Sequence, residues 1–352
     1  MIAMIIFSIE TSCDDTSIAI IKTRGKKTPS FEILANIVSS QVKKHAEFGG
    51  VVPNLAARLH LENINFCIEK AFKKAKVTPK QIDLVAVTKG PGLIPALLIG
   101  VETAKNLAFL WQKPIIGVNH IEGHIYANWI MSRKSKVESR KSINFPILSL
   151  VVSGGHTSLI LMKDHFKYQI IGETRDDAVG EAFDKVARLL NLGYPGGPII
   201  EEMAKEYKGG LIDLPSPMIN SNDYDFSFSG LKTAVMYETK KQKKLTKAFK
   251  NKMAASFQEA AFKVLIKKTI KAAKEYKVKT IMLGGGVSAN KTLQNQLEKA
   301  VKKNIPNSQF LIPASNLSTD NAAMIGIAGY YRYINGFSDD WKKLKADANL
   351  KI

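Results

Sequence analysis

The chain has 352 residues, of which 45% are apolar, and a formal net charge of +20. This length exceeds what one hydrophobic core usually supports, so two domains are expected. The excess of positive charge argues against an enzyme of neutral small molecules and favours a polyanionic partner, nucleic acid before an acidic membrane surface, although a lysine-rich surface without such a partner is the alternative.

The first residues and the cysteine content bear on location. Residues 4–9 form an apolar run that leads directly into Glu10 and Asp14, which predicts a first buried strand and not a signal peptide. Cys13 and Cys67 are the only cysteines, too few for a disulfide framework or a thiolate zinc site and typical of a reducing cytoplasm. No apolar run reaches the roughly 18 residues of a membrane span, so no membrane association is expected.

Apolar runs typical of strands alternate with helical stretches in the first part of the chain. The strand-like runs are 4–9, 17–21, 84–87 and 115–118, and the helical stretches are 55–74, 95–110 and 121–131. This alternation predicts an α/β fold. A polar, basic segment at 132–144 interrupts the pattern, and a second α/β series begins at Phe145. We therefore predict one domain at 1–140 and a second at 141–352.

The second series begins as the first does. Residues 12–20 align without a gap with residues 153–161, and each segment follows one apolar strand and runs into another. Two units of strand, polar turn and strand, at the head of two α/β halves, predict a duplicated architecture. If the two turns face each other across a cleft, they could hold a phosphate chain between them.

A glycine-rich segment, Gly284 to Asn290, follows the apolar run 280–283 and precedes the helical stretch 291–301. Such a turn lets the backbone approach a ligand closely and presents N–H groups at a helix start. It matches neither GxGxxG nor the Walker pattern, and a tight turn without a ligand is the alternative. Together with the duplicated turns, it favours a nucleotide.

Further candidates lie in two loops and at one helix start. The loops 89–93 and 194–198 are rich in glycine and proline and precede helical segments, although each is an ordinary turn by itself. Acidic residues at a helix start usually complement the helix dipole. Among Asp176, Asp177, Glu181 and Asp184, only Asp184, one turn into the helix that runs to Leu190, is a candidate ligand contact.

His120 and His124 are four residues apart, so on a helix both imidazoles point to one side and can share a metal ion. A zinc protease of the HExxH type needs its general base directly after the first histidine. Glu122 comes two residues after it, on the opposite face, and is interpreted as incidental. The alternative is a pair of surface or buried structural histidines without a metal.

Asp320 is the best candidate for a third ligand. It precedes the apolar helix 322–331 and is predicted to cap it, although capping alone would explain the residue. Two histidines and one carboxylate suit iron or zinc and leave coordination positions that a phosphate oxygen could occupy.

Lysines concentrate in the second half of the chain. Residues 240–252 contain seven lysines, and Lys263, Lys267, Lys268, Lys271 and Lys274 continue along a helix that ends near Tyr276. Because the run has one sign of charge and matches the excess of the whole chain, contact with a phosphate backbone is as good an interpretation as a solvated face. Such contacts provide affinity and orientation but do not identify bases.

Ordered motifs along the chain are similar to those of one known family. They are IETSCDDT at 9–16, the segment 45–60, GPGL at 90–93, NHIEGH at 119–124, VSGGHT at 152–157, the segment 177–185, YPGGP at 194–198, FSFSGLK at 226–232, the segment 284–290 and TDN at 319–321. The chain resembles the TsaD family, also called Gcp or YgjD in bacteria, whose members are tRNA N6-adenosine threonylcarbamoyltransferases.

The resemblance implies two duplicated actin-like domains (ASKHA, RNase H-like) with a nucleotide and metal cleft between them, closed by the helix after Asp320. It implies metal ligands at His120, His124 and Asp320. Substrate contacts carry over to Val151, Val152, Ser153, Gly154, Gly155, Asp184, Gly197 and Asn290, and we expect Gly285 to hold the adenosine together with Asn290. Asp15 stands where the family frequently has glutamate.

The implied reaction is a tRNA threonylcarbamoyladenosine modification. The threonylcarbamoyl group passes from threonylcarbamoyl-AMP to N6 of the adenosine 3′ of the anticodon in tRNAs reading ANN codons, and AMP leaves. Ser12, Asp14 and Asp15 are the candidate catalytic residues, of which either aspartate could orient or deprotonate the amine. The expected cofactor is one divalent metal ion, Fe²⁺ with Zn²⁺ as the alternative, and the expected partners are a TsaB-like paralogue and a TsaE-like ATPase.

Three other functions stay open at this point. An actin-fold small-molecule kinase would bind ATP between the same two halves but needs no metal triad of this kind. A metallo-endopeptidase is disfavoured by the position of Glu122. A non-enzymatic RNA-binding or scaffold protein is suggested by the charge alone.

Overall fold

A computed structural model describes residues 3–25, 29–133, 136–139 and 143–352. The strands are β1 Ala3–Glu10, β2 Asp15–Arg24, β3 Ser30–Ser40, β4 Leu84–Gly90, β5 Ile115–Asn119, β6 Ile130–Arg133, β7 Lys136–Ser139, β8 Ile147–Val152, β9 Thr157–Asp164, β10 Lys167–Glu173, β11 Thr280–Gly284 and β12 Gln309–Leu311. The helices are α1 Val42–Ala46, α2 Pro53–Ala75, α3 Ile94–Trp111, α4 His120–Tyr126, α5 Val179–Leu189, α6 Gly196–Glu206, α7 Ser229–Lys240, α8 Lys247–Glu275, α9 Lys291–Asn304 and α10 Ala322–Ile334.

The chain divides into two compact units, each with its own five-stranded sheet. Unit 1 consists of Met1–Ile143 and Pro313–Ile352, and unit 2 is Asn144–Ile312. The strand orders are β3-β2-β1-β4-β5 and β10-β9-β8-β11-β12, so the two sheets have the same topology. In the first sheet β1, β4 and β5 are parallel and β2 runs antiparallel to β1. In the second sheet β8, β11 and β12 are parallel and β9 runs antiparallel to β8. This confirms the duplicated α/β architecture that the alignment of residues 12–20 with 153–161 predicts.

The C-terminal segment is part of unit 1, which differs from the predicted second domain at 141–352. Helix α10 packs on β1, β2 and β4. A side chain on Gly326 would lie 2.7 Å from Ile21 and 2.9 Å from Ser8 Oγ, and Ser8 Oγ donates a hydrogen bond of 2.7 Å to the Ala322 carbonyl. Because α10 follows the second domain in sequence, it is predicted to belong to that domain. The close approach of its glycines to the first sheet shows that it packs on unit 1 instead.

The sheet of unit 1 is covered on both faces, as alternation along β1 requires. Phe7 and Ile9 point into a core shared with α2 and α3. The intervening Ser8 faces α10, and Glu10 is fully buried at the end of the strand. A buried carboxylate at the end of an apolar strand costs free energy unless it is partnered, and its partners form part of the site described below.

One predicted helix is shorter than expected. The helix predicted at 121–131 ends at Tyr126 and continues as a 3₁₀ turn, Ala127–Trp129, where the rings of Tyr126 and Trp129 stack 4.6 Å apart. Ile130 then begins β6, whose pairing with Ser139 of β7 draws the backbone out of helical geometry. The polar segment predicted at 132–144 lies partly outside the described residues.

Helix α3 is long and apolar enough to cross a membrane by length and composition. Glu102 and Lys105 interrupt its apolar sequence, which is why the sequence contains no uninterrupted span. A core helix meets the same criterion, and α3 packs against α2 and β4 with Val101 and Ala104 fully buried. Length and composition are therefore weak indications of a membrane span here.

Unit 2 has a core built around the long helix α8, in which Phe257 and Phe262 pack on Phe183 of α5. One predicted phosphate contact on α8 is wrong. The side chain of Lys268 is buried, donates a hydrogen bond of 2.7 Å to Ser221 Oγ and lies 3.2 Å from an Asp223 carboxylate oxygen. The lysine therefore pairs with a partly exposed acid and is itself inaccessible to a polyanion.

Candidate metal and substrate site

The candidate metal site lies where the parallel strands of unit 1 end. Strands β1, β4 and β5 are parallel, so their carboxyl ends meet at one edge of the sheet, which is the usual place for ligands in open α/β sheets. Glu10 ends β1, Thr88 lies near the end of β4 and His120 follows β5 directly. Chain segments far apart in sequence thus bring their polar side chains to one edge.

Helix α4 begins at this edge and presents both histidines on one side. Asn119 caps the helix, since its side-chain oxygen accepts hydrogen bonds from the backbone N–H of Ile121 at 2.8 Å and Glu122 at 3.4 Å. His120 and His124 are one turn apart, and their ring centroids lie 4.6 Å from each other. Both are buried, so the alternative of a surface pair is excluded.

Asp320 completes a triad with the two histidines. Its Oδ1 lies 3.5 Å from His120 Nε2 and 3.2 Å from His124 Nε2, and one ligand atom from each residue lies within 4.8 Å of the others. The predicted cap is wrong, because Asn321 caps α10 by accepting a hydrogen bond of 3.0 Å from Met324 N–H. Helix capping therefore does not explain Asp320.

The other ring nitrogen of His120 contacts Glu10 and Ser12. His120 Nδ1 lies 3.0 Å from Glu10 Oε2 and 3.1 Å from Ser12 Oγ. Glu10 in turn accepts hydrogen bonds from Thr88 Oγ1 at 2.6 Å and from the Ser12 backbone at 2.5 Å. With the proton on Nδ1 donated to Glu10, Nε2 presents its lone pair toward Asp320, which is the tautomer that a metal ligand needs.

The electrostatics of the triad favour a cation. Burial alone would lower the pKa of His120, but the carboxylates of Glu10 and Asp320 raise it to about 9. Burial lowers the pKa of His124, so this imidazole stays neutral. Within the described part of the chain His124 Nδ1 has no hydrogen-bond partner, and Nε2 has no polar contact other than the 3.2 Å approach to Asp320 Oδ1. A metal ion would satisfy that buried nitrogen, so the donor set fits one.

Glu10 should matter for metal binding although it is not itself a ligand. A Glu10→Gln variant keeps an acceptor but loses the charge that orients His120, and we expect its metal affinity to fall by about 10- to 100-fold. Calorimetric titration of the metal-free protein measures this, with the exposed Glu62→Gln as the matched control. Equal affinities in the two variants would contradict the role assigned to Glu10.

Glu122 is not incidental, which corrects the interpretation of its position. It is fully buried, and its carboxylate accepts hydrogen bonds from Arg332 Nε at 2.9 and 3.0 Å and from Nη2 at 2.5 Å. This pair joins α4 to α10. Because both carboxylate oxygens bind the guanidinium, Glu122 is unsuited to act as the general base of a peptidase.

The three candidate catalytic residues lie in and after the turn between β1 and β2. Ser12 is buried and contacts His120, as described above. Burial raises the pKa of Asp14, and it raises the pKa of Asp15 to about 7. His60 of α2 holds the turn in place, because its Nε2 donates a hydrogen bond of 3.0 Å to the Cys13 carbonyl and its Nδ1 lies 2.8 Å from Thr16 Oγ1.

In unit 2, the corresponding turn joins β8 to β9. Val151 and Val152 are buried at the end of β8, and Ser153 Oγ accepts a hydrogen bond of 3.1 Å from His156 N–H, which fixes the turn. Side chains added at Gly154 and Gly155 would meet no atom within 4 Å. The backbone of these two glycines therefore faces open space, as a backbone phosphate site requires.

The glycine-rich segment lies beside this turn within unit 2. Gly285 has a φ of +85°, and a Cβ there would collide with the Val152 carbonyl oxygen, so both conformation and space require glycine. Asn290 caps α9 by accepting from Thr292 and Leu293 N–H, and its amide group donates to Gln258 Oε1 at 2.9 Å. The side chain that was expected to hold adenosine has a structural role in this arrangement.

Asp184 and Gly197 also lie in unit 2. Asp184 Oδ1 accepts a hydrogen bond of 2.7 Å from Gly196 N–H, which anchors the start of α6 to α5. A Cβ on Gly196 would lie 2.8 Å from Asp184 Cα, whereas one on Gly197 would meet nothing within 4 Å. Asp184 therefore positions the helix start, and Gly197 is open to a ligand.

Comparison with known proteins identifies the family. A protein-family model described as "TsaD: tRNA N6-adenosine threonylcarbamoyltransferase" matches residues 32–327. The chain belongs to the TsaD family. A relative from Syntrophomonas wolfei named tRNA N6-adenosine threonylcarbamoyltransferase is 50% identical over 331 residues, covering 94% of this chain and 93% of its own. A relative of the same name from Thermosipho africanus is 49% identical over 99% of this chain and 100% of its own.

The solved structures that resemble this TsaD chain confirm its fold. HypF from T. kodakarensis superimposes with a TM-score of 0.58 at 12% identity, covering 95% of this chain and 48% of that one. A full-length HypF in a phosphate- and nucleotide-bound form gives a TM-score of 0.55 at 12% identity, covering 95% and 56%. The chain thus spans about half the length of these HypF proteins. At this identity the likeness shows the actin-like ASKHA fold alone.

Sequence reasoning missed four residues that hold the site of this TsaD protein together: Glu10, Thr88, His60 and Arg332. Glu10 gave a signal, because an acid that closes an alternating apolar strand is expected to need a buried partner. Thr88 and Arg332 gave none, since a threonine in a strand and an arginine at a helix end are ordinary. Their partners lie 78 and 210 residues away in sequence.

Proposed function

We propose that this protein transfers the threonylcarbamoyl group from threonylcarbamoyl-AMP to N6 of the adenosine 3′ of the anticodon in tRNAs reading ANN codons and releases AMP. The observation that carries the proposal is the triad of the buried His120 and His124 with the half-buried Asp320, backed by Glu10, in a chain of the TsaD family. The family explains the reaction, and the triad supplies a site for the activated donor.

The proposed cofactor is one divalent metal ion, Fe²⁺ with Zn²⁺ as the alternative, held by His120, His124 and Asp320. Two imidazoles and one carboxylate are ligands that both metals accept, and they leave open coordination positions. When bound, the ion would polarise the phosphate and neighbouring acyl oxygens of the adenylate. Glu10 and Ser12 hold the His120 ring in the orientation that presents Nε2.

The turns of unit 2 are proposed to bind the nucleotide part of the adenylate. The open backbone of Gly154 and Gly155, next to Ser153, suits the phosphate, and the segment with Gly285 and Asn290 is proposed to hold the adenosine. Val151 and Val152 set the turn at the end of β8, and Gly197 contributes backbone at the start of α6. Asp184 is proposed to act by holding that helix start.

Asp14 and Asp15 are proposed to serve the attacking amine. The N6 nitrogen forms a bond to the carbamoyl carbon, the bond from that carbon to the phosphate oxygen breaks with its electrons on AMP, and the amine loses one proton. Burial raises the pKa of Asp15 to about 7, which is the range in which a carboxylate accepts a proton efficiently near neutral pH. Because the donor is already activated, positioning should contribute most of the catalysis.

The rival enzyme classes are not favoured. A metallo-endopeptidase would need Glu122 as its base, and that carboxylate binds Arg332 in a buried pair. A small-molecule kinase of the same fold has no need of the histidine and aspartate triad. The relatives that match nearly the whole chain carry the transferase name.

The proposed partners are a TsaB-like paralogue and a TsaE-like ATPase, with a separate enzyme making the adenylate in the cytoplasm. The outer faces of α2 and α3 support the proposal of a paralogue as partner, because large apolar side chains lie exposed there. Leu61 is 63% exposed, Phe66 52% and Leu110 69%. An apolar surface of this kind suits burial against a second protein, and the two helices pack together as one surface of unit 1.

Reconstitution tests the reaction directly. The full chain, its partner subunits, the enzyme that makes the adenylate, ATP, bicarbonate and labelled threonine are incubated with tRNA, because the family resemblance implies little activity for the isolated chain. We expect label in tRNA together with an equal amount of AMP. The control is the same tRNA with inosine in place of the target adenosine, which lacks the N6 amine and should receive no label. Equal labelling of the two tRNAs would refute the proposed acceptor.

A further inference from the structure

The lysine-rich end of α7 and the start of α8 form a concave surface on unit 2. The cavity has a volume of about 480 Å³ and is bounded on one side by Leu189 and Asn191, at the end of α5. Its other lining residues include Lys240, Lys243, Lys244 and Lys250. We call these four lysines and the cavity between them the α7–α8 basic surface.

The positive charge on this surface is largely uncompensated. Among neighbouring lysines, Lys241 pairs with Glu238 and Lys247 pairs with Glu206. In contrast, Lys240, Lys243 and Lys244 are exposed and form no ion pair with any residue that the structure describes. The repulsion among three neighbouring positive charges raises the free energy of the unbound protein. Bound phosphate groups would reduce that repulsion.

In the adjoining cavity, on the other side of Leu189, the lysines do form ion pairs. It is lined by Lys185, Arg188 and Lys232, but both lysines pair with Asp177, at 2.6 and 2.7 Å, and Lys185 also pairs with Glu181. Two acids therefore balance the two lysines. With Arg188 counted, this cavity has three cations against two acids, whereas none of Lys240, Lys243 and Lys244 has an ion pair with a described residue, so the stronger attraction for an anion lies with those three lysines.

Helix α5 connects this surface to the turn proposed to bind phosphate. At its start, Gly180 N–H donates to the Ser153 carbonyl at 3.2 Å, and at its end Leu189 borders both cavities. Nine residues of helix span about 14 Å. A strand with a phosphate every ~3.4 Å along its axis covers that distance in about four nucleotides, so a long polyanion could reach both places and a mononucleotide could not.

An aromatic side chain accompanies the lysines. Tyr237 lies three residues before Lys240 on α7 and is 58% exposed. Residues three apart on a helix are neighbours on its surface. An exposed aromatic ring beside cations provides a stacking face for an unpaired base, which is typical of single-stranded nucleic-acid binding.

We propose that the α7–α8 basic surface binds the backbone phosphates of the tRNA and orients the acceptor for transfer. Lys240, Lys243 and Lys244 provide the charge, and Tyr237 stacks on an unpaired base. This inference rests on the proposed function, since it names the contact surface for the same acceptor. The residues lie outside the metal triad and the turns, so they affect binding of tRNA and not the chemical step.

The test is the kinetics of transfer in the reconstituted assembly with a variant in which Lys240, Lys243 and Lys244 are replaced by glutamine. We expect the KM for tRNA to rise at least about tenfold with kcat nearly unchanged, and the slope of log KM against log salt to fall by about 2 to 3. The matched control replaces Lys299, Lys302 and Lys303 of α9, which are also exposed, and removes the same charge. Its KM should stay within about twofold of wild type.

The outcomes separate this inference from the proposed function. If wild type transfers label but the two triple variants have the same KM and the same salt dependence, the surface is wrong and the function stands. If wild type labels no tRNA, or labels adenosine and inosine tRNA alike, the function itself fails. A further arm measures binding to phosphatidylserine vesicles: loss of vesicle binding with an unchanged KM for tRNA would identify a membrane surface and overturn the proposal.

Discussion

Replacing His124 with alanine is expected to abolish stoichiometric metal binding and to reduce threonylcarbamoyl transfer by about 10³-fold, because several kcal/mol of charge stabilisation would be lost with the ion. His124 is buried, and in the described part of the chain its Nδ1 has no hydrogen-bond partner while its Nε2 has only the 3.2 Å contact with Asp320. The alanine variant therefore loses little hydrogen bonding within the protein, and its loss of transfer activity should result from the loss of the metal ion.

Metal content measured by mass spectrometry and transfer to labelled tRNA together test this expectation. A third measurement separates metal loss from misfolding: added metal should raise the Tm of wild type, by linkage to the folded state, and leave that of His124→Ala unchanged. His165→Ala is the control, since His165 lies in unit 2 and packs against Phe145. Transfer by His124→Ala at the wild-type rate would contradict the proposed metal site.

Replacing Arg332 with alanine is expected to lower the free energy of unfolding of unit 1 by about 3 kcal/mol, because it leaves Glu122 buried without its partner. The Glu122 carboxylate is fully buried, while Arg332 is 21% exposed at its side chain. The exposed part of the guanidinium reduces the cost of removing it, so the value lies at the low end for a broken buried pair.

Urea unfolding followed by tryptophan fluorescence measures this change in the free energy of unfolding of unit 1. The three tryptophans, Trp111, Trp129 and Trp341, all belong to unit 1. The control is the double variant Glu122→Met with Arg332→Met, in which neither charge remains, and it should recover most of the lost stability. A single variant as stable as wild type, or a double variant as unstable as the single one, would show that the pair does not stabilise α4 against α10.

Both predictions concern the contacts of α4, with Asp320 just before α10 in one case and with Arg332 of α10 in the other. A Cβ on Gly123 would lie 2.7 Å from Ile325 Cδ1, so side chains of α10 pack directly on the α4 backbone at this glycine. One side of α4 then directs His120 and His124 toward Asp320, and the other side directs Glu122 toward Arg332. The ion pair thus sets the position of the helix that carries two of the proposed metal ligands.

Much of the local structure was predictable because its causes are local. The apolar runs at 4–9, 84–87, 115–118 and 280–283 became β1, β4, β5 and β11. The gapless alignment of 12–20 with 153–161 matched two turns at equivalent places in two sheets of the same topology. The four-residue spacing of His120 and His124 placed both rings on one side of a helix, as helical geometry requires.

Other features depended on contacts between distant segments. The sequence suggested Asp320 as a cap, but Asn321 takes that role, and the choice between two adjacent polar residues follows from how α10 meets the first sheet. Lys268 looked like part of a basic run and is buried beside Asp223. Glu122 looked incidental and is the partner of an arginine 210 residues away.

The sequence by itself determined the family, the α/β repeat, the histidine pair and the excess of basic charge, because each is written in residue types at short spacings. Only the tertiary structure decided that the last segment joins unit 1, that Glu10 and Ser12 orient His120, and which lysines lack a carboxylate partner. The physical reason is the same in each case. Burial and charge pairing depend on which distant side chains the fold brings within a few ångströms, and no local pattern encodes that distance.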